Sequence, residues 1–289
     1  MTIYINGHLY ADFEAKISVT DHAVLYGDGI YEGIRVYDGY AFALDAHLER
    51  LIRSASAVGL TPPSPDIVTS AIRETLADNN LTSAYVRIIY TRGSGGMGPS
   101  PSSCNSPSLI VITQDTPPLH GLGTSGIRTI ISHRRRSAID ANTHEIKSLN
   151  YLDSVLALAE AQAANANDAI MLDPNGYVAE AAVSNIFMID NDVLYTPSLD
   201  GPILAGITRA TTIEIALKMG IRTYETKITP TFLLTAKGAF TTGTHAEITR
   251  ISSVGNREYT DDKAIKTITM IQEEYSRIKS SPHHGTLVV

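Results

Sequence analysis

The chain has 289 residues, of which 43% are apolar and 18% charged, and its net charge at pH 7 is −7. This composition is that of a globular protein, and the negative charge argues against a surface for nucleic acids or anionic membranes. The single Cys104 excludes an intramolecular disulfide framework, and because we see neither a signal peptide nor an apolar run of membrane-spanning length, we expect a cytoplasmic protein.

The first 115 residues alternate predicted strands and helices. Strands are predicted at 3–5, 11–17, 34–37, 41–44, 84–91 and 109–113, and helices at 45–58 and 65–79, from the period of the apolar positions. Asp38-Gly39 marks a hairpin, and Gly59 is placed to end the first helix. Residues 116–126 contain proline and glycine without an apolar period, so we predict an interdomain loop there.

The alternation of strands and helices continues after this loop. Strands are predicted at 127–132, 169–172, 177–189, 193–195 and 239–242, helices at 150–166, 208–219 and 262–279, a short helix led by Pro230, and a loose tail from Ser280. We therefore expect an α/β or α+β protein with an N-terminal α/β domain of residues 1–115 and a C-terminal domain of residues 127–289.

Lys147 is the first residue that indicates chemistry. It is the only lysine between Lys16 and Lys218, although arginine is used freely in that stretch. An amine can be desolvated and can attack a carbonyl, whereas a guanidinium cannot, so a lysine in this position is a candidate nucleophile. A surface lysine near the start of a helix remains the simpler interpretation.

Three further segments could bind a charged or polar ligand. Glu180 lies in a predicted strand among small apolar residues, where a carboxylate must be paired unless it points to solvent. Gly201–Arg209 leads directly into a helix, whose free N-terminal amides could bind a phosphate or be merely capped. Thr241–Glu247 forms a turn rich in hydroxyl groups, which adds donors for an anion or is an ordinary turn.

Several other motifs do not indicate function. Gly27-Asp28-Gly29 lacks the third glycine of a dinucleotide fingerprint, and Arg92–Gly98 lacks the end of a phosphate-binding loop. The basic run His133–Arg136 is expected to be a solvated loop. The histidines show no spacing typical of ligands, so we predict no metal.

Together, these motifs resemble the fold-type-IV pyridoxal-phosphate-dependent aminotransferases, which include branched-chain and D-amino-acid aminotransferases. The resemblance covers residues 3–280 and rests on Tyr26–Arg35, His47–Leu51, Ile146–Leu152, Glu180–Phe187, Gly206–Arg209 and Gly243-Thr244. It implies a two-domain fold, with a small N-terminal α/β domain and a larger C-terminal pseudo-barrel domain that binds the cofactor.

The resemblance implies a role for each matching residue. Lys147 would be catalytic and would carry pyridoxal 5′-phosphate as a Schiff base, and Glu180 would pair with the pyridine nitrogen. The cofactor-binding residues that it implies are Arg50, Lys147, Tyr151, Glu180, Ser184, Asn185, Gly206, Ile207, Thr208, Gly243 and Thr244. Tyr151 follows Lys147 by four residues, whereas some branched-chain enzymes have five.

Within the family, Glu32–Arg35, Tyr85–Arg87 and Gly96–Pro99 resemble the branched-chain group. This implies transamination of leucine, isoleucine and valine with 2-oxoglutarate, by ping-pong kinetics through pyridoxamine phosphate. The implied substrate-binding residues are Tyr26, Tyr31, Arg35, Tyr85, Arg87, Met97, Gly98, Thr244 and His245. Those matching Tyr26 and the Met97 loop reach in from a partner subunit, so at least a homodimer is expected.

Other functions stay open at this point. D-amino-acid aminotransferases share the Gly27–Gly29 and Ile146–Asn150 patterns, and His245 stands where the branched-chain group usually has a small residue. A lyase of the same fold, of the aminodeoxychorismate type, would keep Lys147 and Glu180. A relative that binds small molecules without catalysis would not need this whole set of residues.

Overall fold

The structure is a computed structural model that describes residues 1–119, 125–138 and 144–289. These residues divide into two units: Met1–Pro117 with Ile146–Asn150 and Lys279–Val289, and Pro118–Glu145 with Tyr151–Ile278. The first unit is therefore discontinuous along the chain, whereas the predicted division was continuous. Residues 120–124 of the predicted interdomain loop lie outside the described residues.

The helices and strands follow one another along the whole chain. In order they are β1 (Thr2–Ile5), β2 (His8–Ala11), α1 (His22–Tyr26), β3 (Gly29–Tyr37), β4 (Tyr40–Phe42), α2 (Leu44–Ala57), α3 (Pro65–Asp78), β5 (Ala84–Thr91), β6 (Ser108–Gln114), β7 (Ile127–Arg135), α4 (Leu152–Ala163), β8 (Asp168–Leu172), β9 (Val178–Ala181), β10 (Asn185–Asp190), β11 (Val193–Thr196), α5 (Ile207–Lys218), β12 (Arg222–Glu225), α6 (Pro230–Thr235), β13 (Gly238–Gly243), β14 (Glu247–Val254), β15 (Arg257–Glu258), α7 (Asp262–Lys279) and β16 (Gly285–Leu287). Single 3₁₀ turns occur at Pro101–Ser103 and Pro282–His284.

The first unit contains a seven-stranded sheet in the order β16-β4-β3-β5-β6-β1-β2. Side chains alternate along β5, where Val86 and Ile88 are buried and Tyr85 and Arg87 are half-buried. The buried face joins the core with apolar residues of α2 and α3, such as Leu51 and Ile72. The opposite face of β3 and β5 is thereby left to polar and aromatic side chains.

The second unit contains a nine-stranded sheet in the order β12-β11-β10-β13-β14-β7-β8-β9, with β15 on β14. The sheet curls, so that β9 at its end lies against β10 again, as in a half-barrel. Phe187 and Phe240 stack in its interior with ring centroids 5.0 Å apart. The predicted mixed class, with a larger barrel-like C-terminal sheet, is confirmed.

Three predicted elements are wrong. Residues 177–189 are not one strand, because the chain turns after β9 and the Ala181 amide donates to the Ser184 carbonyl at 2.7 Å. The predicted strand 11–17 ends at Ala11, where β2 ends. The tail after Ser280 is not loose, because β16 pairs with β4 and Val288 is only 3% exposed.

In the described ranges, no helix is both long enough and apolar enough to cross a membrane.

Candidate active site

Lys147 lies in a short segment that is bonded to strand β3 on both sides. The Tyr31 amide donates to the Lys147 carbonyl, and the Leu149 amide donates to the Gly29 carbonyl, both at 2.9 Å. The Lys147 amide in turn donates to Ser54 Oγ of α2 at 3.2 Å. The side chain is half-buried, with Nζ 4.5 Å from the centroid of the Tyr31 ring. The backbone thus fixes where this amine can act.

The predicted substrate residues Tyr31, Arg35, Tyr85 and Arg87 share one face of the first sheet. Arg35 pairs with Tyr85 and Gly33 with Arg87 in the antiparallel register of β3 and β5. Side chains directly opposite one another point to the same side. Accordingly, Arg87 Cζ lies 3.9 Å from the centroid of the Tyr31 ring. The structure thus brings Lys147 together with Tyr31, and Tyr31 with Arg87.

Arg35 is buried but only partly bonded. Its Nη1 donates to the Thr116 carbonyl at 2.5 Å, whereas Nε and Nη2 have no hydrogen-bond partner among the described residues. A buried donor without a partner is costly, and a guanidinium fork suits a carboxylate. Arg35 can therefore bind the carboxylate of an amino or oxo acid.

The sequence analysis assigned no role to Gly33, which the structure places next to Tyr85. A Cβ at this position would overlap the hydroxyl and ring of Tyr85. A side chain would therefore displace Tyr85 from this face, which is why the strand needs a glycine here.

On the opposite face of β3, Glu32 binds Arg50 and His47 of α2. Arg50 Nε donates to Oε1 at 2.6 Å and Nη2 to Oε2 at 2.9 Å, and His47 Nδ1 lies 2.8 Å from Oε2. Burial would raise the pKa of the Glu32 carboxyl, but Arg50 and His47 outweigh it and hold that pKa well below its usual range. For the His47 imidazole, in contrast, burial lowers the pKa, although Glu32 opposes this shift.

Glu32 is therefore a site residue that sequence reasoning missed. It positions Arg50, for which the resemblance implied phosphate binding. The only signal was the spacing of His47 and Arg50, which lie one turn apart on the helix and face the strand.

Tyr26 and Met97 are brought together at an exposed place. The Tyr26 hydroxyl donates to the Met97 carbonyl. The Met97 side chain is 78% exposed, and Gly98 beside it is also exposed. The sequence predicted these residues to act on a partner subunit, and their exposure leaves them available to one.

In the second unit, Glu180 is buried on β9 and is held by several groups. Arg136 Nε lies 3.1 Å from Oε1, while Asn185 Nδ2 and the Leu204 amide each donate to Oε2 at 3.3 Å. The solvent-facing alternative for Glu180 is therefore wrong, since its residue is only 6% exposed. The prediction of a solvated basic loop is also wrong: His133, Arg134 and Arg135 are exposed but form the end of strand β7, and Arg136, which follows them, is buried.

Helix α5 begins next to this carboxylate. Gly206 is its N-cap residue, no side-chain hydrogen bond caps it, and Ile207 and Thr208 form the first turn. A Cβ at Gly206 would overlap Asn185 Oδ1, and Asn185 is the residue that binds Glu180. An uncapped helix N-terminus attracts an anion.

The strand ends beside α5 carry further hydroxyl groups. Asn185 pairs with Thr242, and a Cβ at Gly243 would meet Ser184 Cβ at 3.4 Å. Ser184 Oγ and Thr242 Oγ1 are buried without a hydrogen-bond partner among the described residues. Thr244 and His245 follow in the half-buried turn between β13 and β14.

Tyr151 immediately precedes helix α4, where it is the N-cap residue. It is half-buried, and its phenol is one of the groups that raise the pKa of Arg136. Tyr151 is thus close enough to Arg136 to influence its charge.

These residues fit a ligand that has a basic ring nitrogen and a phosphate. The Glu180 carboxylate, which its neighbours hold in place, can pair with the ring nitrogen. The N-terminus of α5 and the unpartnered Ser184 and Thr242 hydroxyls offer hydrogen-bond donors to a phosphate. In the part of the chain that is described, no group of three or more His, Cys, Asp and Glu side chains is placed to hold a metal ion.

Comparison with known proteins gives one consistent family. The family described as amino-transferase class IV matches residues 29–254. A protein of Methanocaldococcus jannaschii, whose name provisionally assigns it to the branched-chain-amino-acid aminotransferases, is 40% identical over 281 residues, or 97% of each chain.

Two solved structures are also similar over the whole chain. The branched-chain amino acid aminotransferase of Escherichia coli is 30% identical, with a TM-score of 0.94 over 100% of this chain and 99% of that one. The T.th. branched-chain amino acid aminotransferase, solved with pyridoxamine 5′-phosphate, is also 30% identical, with a TM-score of 0.92 over 100% and 98% of the two chains.

The chain therefore belongs to the class IV aminotransferases, the fold-type-IV enzymes that use pyridoxal 5′-phosphate. Within that class, these relatives place it in the branched-chain aminotransferase group. The predictions of the family, of an aminotransferase and of its cofactor are confirmed.

Proposed function

We propose that this enzyme transfers the amino group of leucine, isoleucine or valine to 2-oxoglutarate, in the cytoplasm and as a homodimer. The observation that carries the proposal is Lys147, whose amine is held over the Tyr31 ring on the face that also holds Arg87. The names of the similar proteins support branched-chain donors.

Lys147 is the catalytic residue in this proposal. Its Nζ would hold the cofactor in the resting enzyme and, once free, would move the proton at the substrate α-carbon. Bound pyridoxal phosphate supplies an electron sink for the negative charge that the departing proton leaves behind. The backbone hydrogen bonds of Lys147 to Tyr31 and Ser54 fix the place from which its amine can reach the substrate.

The remaining residues bind and orient the cofactor. Glu180 and Tyr151 hold the ring of the cofactor. The resemblance implies that its phosphate would be held by Arg50, by Gly206, Ile207 and Thr208 at the start of α5, by Ser184 and Asn185, and by Gly243 and Thr244. Arg50 can keep this place because Glu32 fixes two of its guanidinium nitrogens. The uncapped start of α5 and the unpartnered Ser184 hydroxyl support the assignments at these residues, and the family resemblance supports the others.

Arg35 and Arg87 bind the substrate carboxylates, and Tyr31 and Tyr85 line the side-chain pocket. Tyr26, Met97 and Gly98 of one chain complete the pocket of the other. Because donor and acceptor use the same residues in turn, the donor leaves as its 2-oxo acid before 2-oxoglutarate enters. Initial rates should then give parallel double-reciprocal lines.

Replacement of the lysine tests the assignment. Lys147→Ala should lower kcat by at least about a hundredfold, because it removes the base, and should abolish the absorbance band of covalently bound cofactor. Lys266→Ala, which removes an exposed lysine of α7, is the matched control and should behave as wild type. Full activity in Lys147→Ala would contradict the proposal.

Substrate choice is tested with a panel of L- and D-amino acids. Leucine, isoleucine and valine should each change the absorbance of the bound cofactor within one turnover. A response confined to D-alanine or D-glutamate would overturn the branched-chain assignment and favour a D-amino-acid aminotransferase.

A further inference from the structure

Arg136 lies immediately after β7 and is bonded on several sides. Its backbone amide donates to the Leu172 carbonyl at 2.9 Å. Nη1 donates to Ser154 Oγ at 2.9 Å and to Asp153 Oδ2 at 3.2 Å. Only 6% of the residue is exposed. Because so many groups fix the guanidinium, Arg136 cannot turn away from Glu180 without breaking other bonds.

Nη2 of Arg136 binds the turn that follows Glu180. It donates to the Ala181 carbonyl at 3.2 Å and to the Ala182 carbonyl at 3.0 Å. This turn ends β9 and leads to Ser184 and Asn185, which are assigned to the cofactor. One side chain therefore contacts both the carboxylate and the backbone that carries its neighbours.

The charges around Arg136 are mostly negative. Burial alone would lower its pKa, but Glu180, Asp153 and Tyr151 outweigh it, so the pKa is raised and the guanidinium stays charged. Burial and the charge of Arg136 both lower the pKa of the nearby His144, so that imidazole is neutral near pH 7. Asp168 feels the same positive charge, which partly opposes the effect of its own burial.

We propose that Arg136 is a positioning residue that keeps the Glu180 carboxylate ionised, so that the proton shared between this carboxylate and the ring nitrogen of the cofactor stays on the nitrogen. The inference rests on the proposed role of Glu180. It assigns to Arg136 a function that neither its place in the basic run nor its exposed neighbours indicate.

The physical argument concerns a proton with two possible positions. A buried carboxylate without a cation favours its neutral form, because burial penalises the charge. Without Arg136, Glu180 would then retain the proton and present a neutral acid to an unprotonated ring nitrogen. With the guanidinium 3.1 Å from Oε1, the carboxylate is stabilised as an anion. The nitrogen keeps its proton, and the ring is the better electron acceptor.

The shape of the side chain matters as well as its charge. A lysine could restore one positive charge near Glu180, but a single ammonium group cannot also reach Asp153 and the two carbonyls in the geometry of the guanidinium fork. Arg136→Lys should therefore restore the function only in part.

The test compares Arg136→Met, which removes the charge, with Arg136→Lys, which keeps it. Arg135→Met is the matched control, because Arg135 is the adjacent residue and its side chain is exposed. The readouts are the absorbance spectrum of the bound cofactor between pH 6 and 9, the dissociation constant of pyridoxal phosphate, and kcat and KM for leucine. Circular dichroism of each protein without cofactor establishes that it is folded.

We expect Arg136→Met to change the absorbance spectrum and to lower kcat by about a hundredfold, the usual effect of removing a preorganised charge, with a much smaller change in KM. Arg136→Lys should lie between this variant and wild type, and Arg135→Met should match wild type. Wild-type spectrum and kcat in Arg136→Met would overturn the proposal. If Arg136→Met does not fold, Arg136→Gln, which also removes the charge, takes its place, and a wild-type spectrum and kcat in that variant would overturn the proposal.

Glu180→Gln separates this proposal from the proposed function. Because Arg136 acts through Glu180, adding Arg136→Met to Glu180→Gln should lower kcat by less than about threefold, far less than in the wild-type background. An undiminished effect in the Glu180→Gln background would show that Arg136 acts otherwise. If Glu180→Gln itself leaves the cofactor spectrum and kcat unchanged, the proposed role of Glu180 fails instead.

Discussion

The fold buries the Asp168 carboxyl without giving both of its oxygens a hydrogen-bond partner among the described residues. Asp168 begins strand β8 and is 1% exposed. Oδ1 accepts a hydrogen bond from the Ala169 amide at 2.7 Å, whereas Oδ2 has no partner among the described residues. Burial raises the pKa of Asp168 to about 6. Near neutral pH the folded protein therefore holds an unfavourable charge.

This residue makes stability depend on pH in a defined direction. Below about pH 4 the carboxyl is protonated in both the folded and the unfolded chain. As the pH rises to about 6, the unfolded chain releases its proton first, so the free energy of unfolding falls, and the loss is complete above the folded pKa. Asp168→Asn removes this loss, and its stability relative to wild type should rise by about 3 kcal/mol between pH 4 and pH 8.

Denaturant unfolding at several pH values measures this change. Asp192→Asn, which changes an aspartate exposed at the protein surface, is the control. A pH-independent difference for Asp168→Asn would mean that the Asp168 carboxyl has an ordinary pKa in the folded protein.

Individual residues could be singled out from the sequence where one side chain carries its own chemical signal. Lys147 stood out because it is the only lysine in a stretch that uses arginine, and the small apolar neighbours of Glu180 made burial one of its two alternatives. Glu32 and Arg136 carry no such signal, because their roles depend on partners that are distant in the chain, on α2 and on β9. Their roles become visible only when the strands are paired.

At the scale of elements, the start of helix α5 depends on the absence of a side chain at Gly206. Gly206→Ala would force a Cβ onto Asn185 Oδ1, and Asn185 cannot move freely because it donates to Glu180 and to the Leu204 carbonyl. We expect the dissociation constant of pyridoxal phosphate to rise by roughly tenfold or more, which corresponds to about 1.4 kcal/mol.

Titration of the cofactor-free protein with pyridoxal phosphate, followed by fluorescence, measures this constant. Gly201→Ala is the control, since its Cβ would meet only the Ser198 carbonyl at 3.5 Å, an ordinary contact. Equal affinity of Gly206→Ala and wild type would show that the start of α5 tolerates the displacement of Asn185.

Helices were predicted more accurately than strands, for a physical reason. The bounds of α2, α3, α5 and α7 lie within a residue or so of those predicted, because each has a long apolar period and most have a proline or glycine at an end. The break between β9 and β10 was missed because Ala181–Ser184 contains only small residues, with no strong turn signal. β16 was missed because a strand of this length shows no period and depends on β4.

At the scale of the whole molecule, the exposed apolar residues of the first unit support the proposed homodimer. Phe13 is 76% exposed, Val19 79% and Met97 78%. Large exposed apolar side chains that recur along one segment are typical of an interaction surface. We expect light scattering to give twice the 31.1 kDa of one chain, and Val19→Asp to weaken the dimer so that it dissociates on dilution.

Leu217→Asp is the matched control for this prediction. Leu217 is 59% exposed on α5, outside the segment that contains Phe13 and Val19, and its replacement should leave the molecular mass unchanged. A wild-type mass of one chain would contradict the homodimer, and so would a Val19→Asp protein that remains dimeric at high dilution.

Which chain segments belong to which of the two units could not be predicted from local sequence patterns. Ile146–Asn150 joins the first unit through backbone bonds to β3, and Lys279–Val289 joins it through the pairing of β16 with β4. Sequence periodicity predicts that a strand exists but not which distant strand it pairs with, so a continuous division was the natural expectation.

The place of β16 in the first sheet has a consequence for synthesis on the ribosome. Its partner β4 is made early, whereas β16 comes from a distant, later part of the sequence. Until β16 has emerged, the nascent sheet therefore exposes the free edge of β4, a template for pairing with other growing chains. This sheet cannot be completed before β16 has been made, and a chaperone that covers such edges should raise the yield of active enzyme.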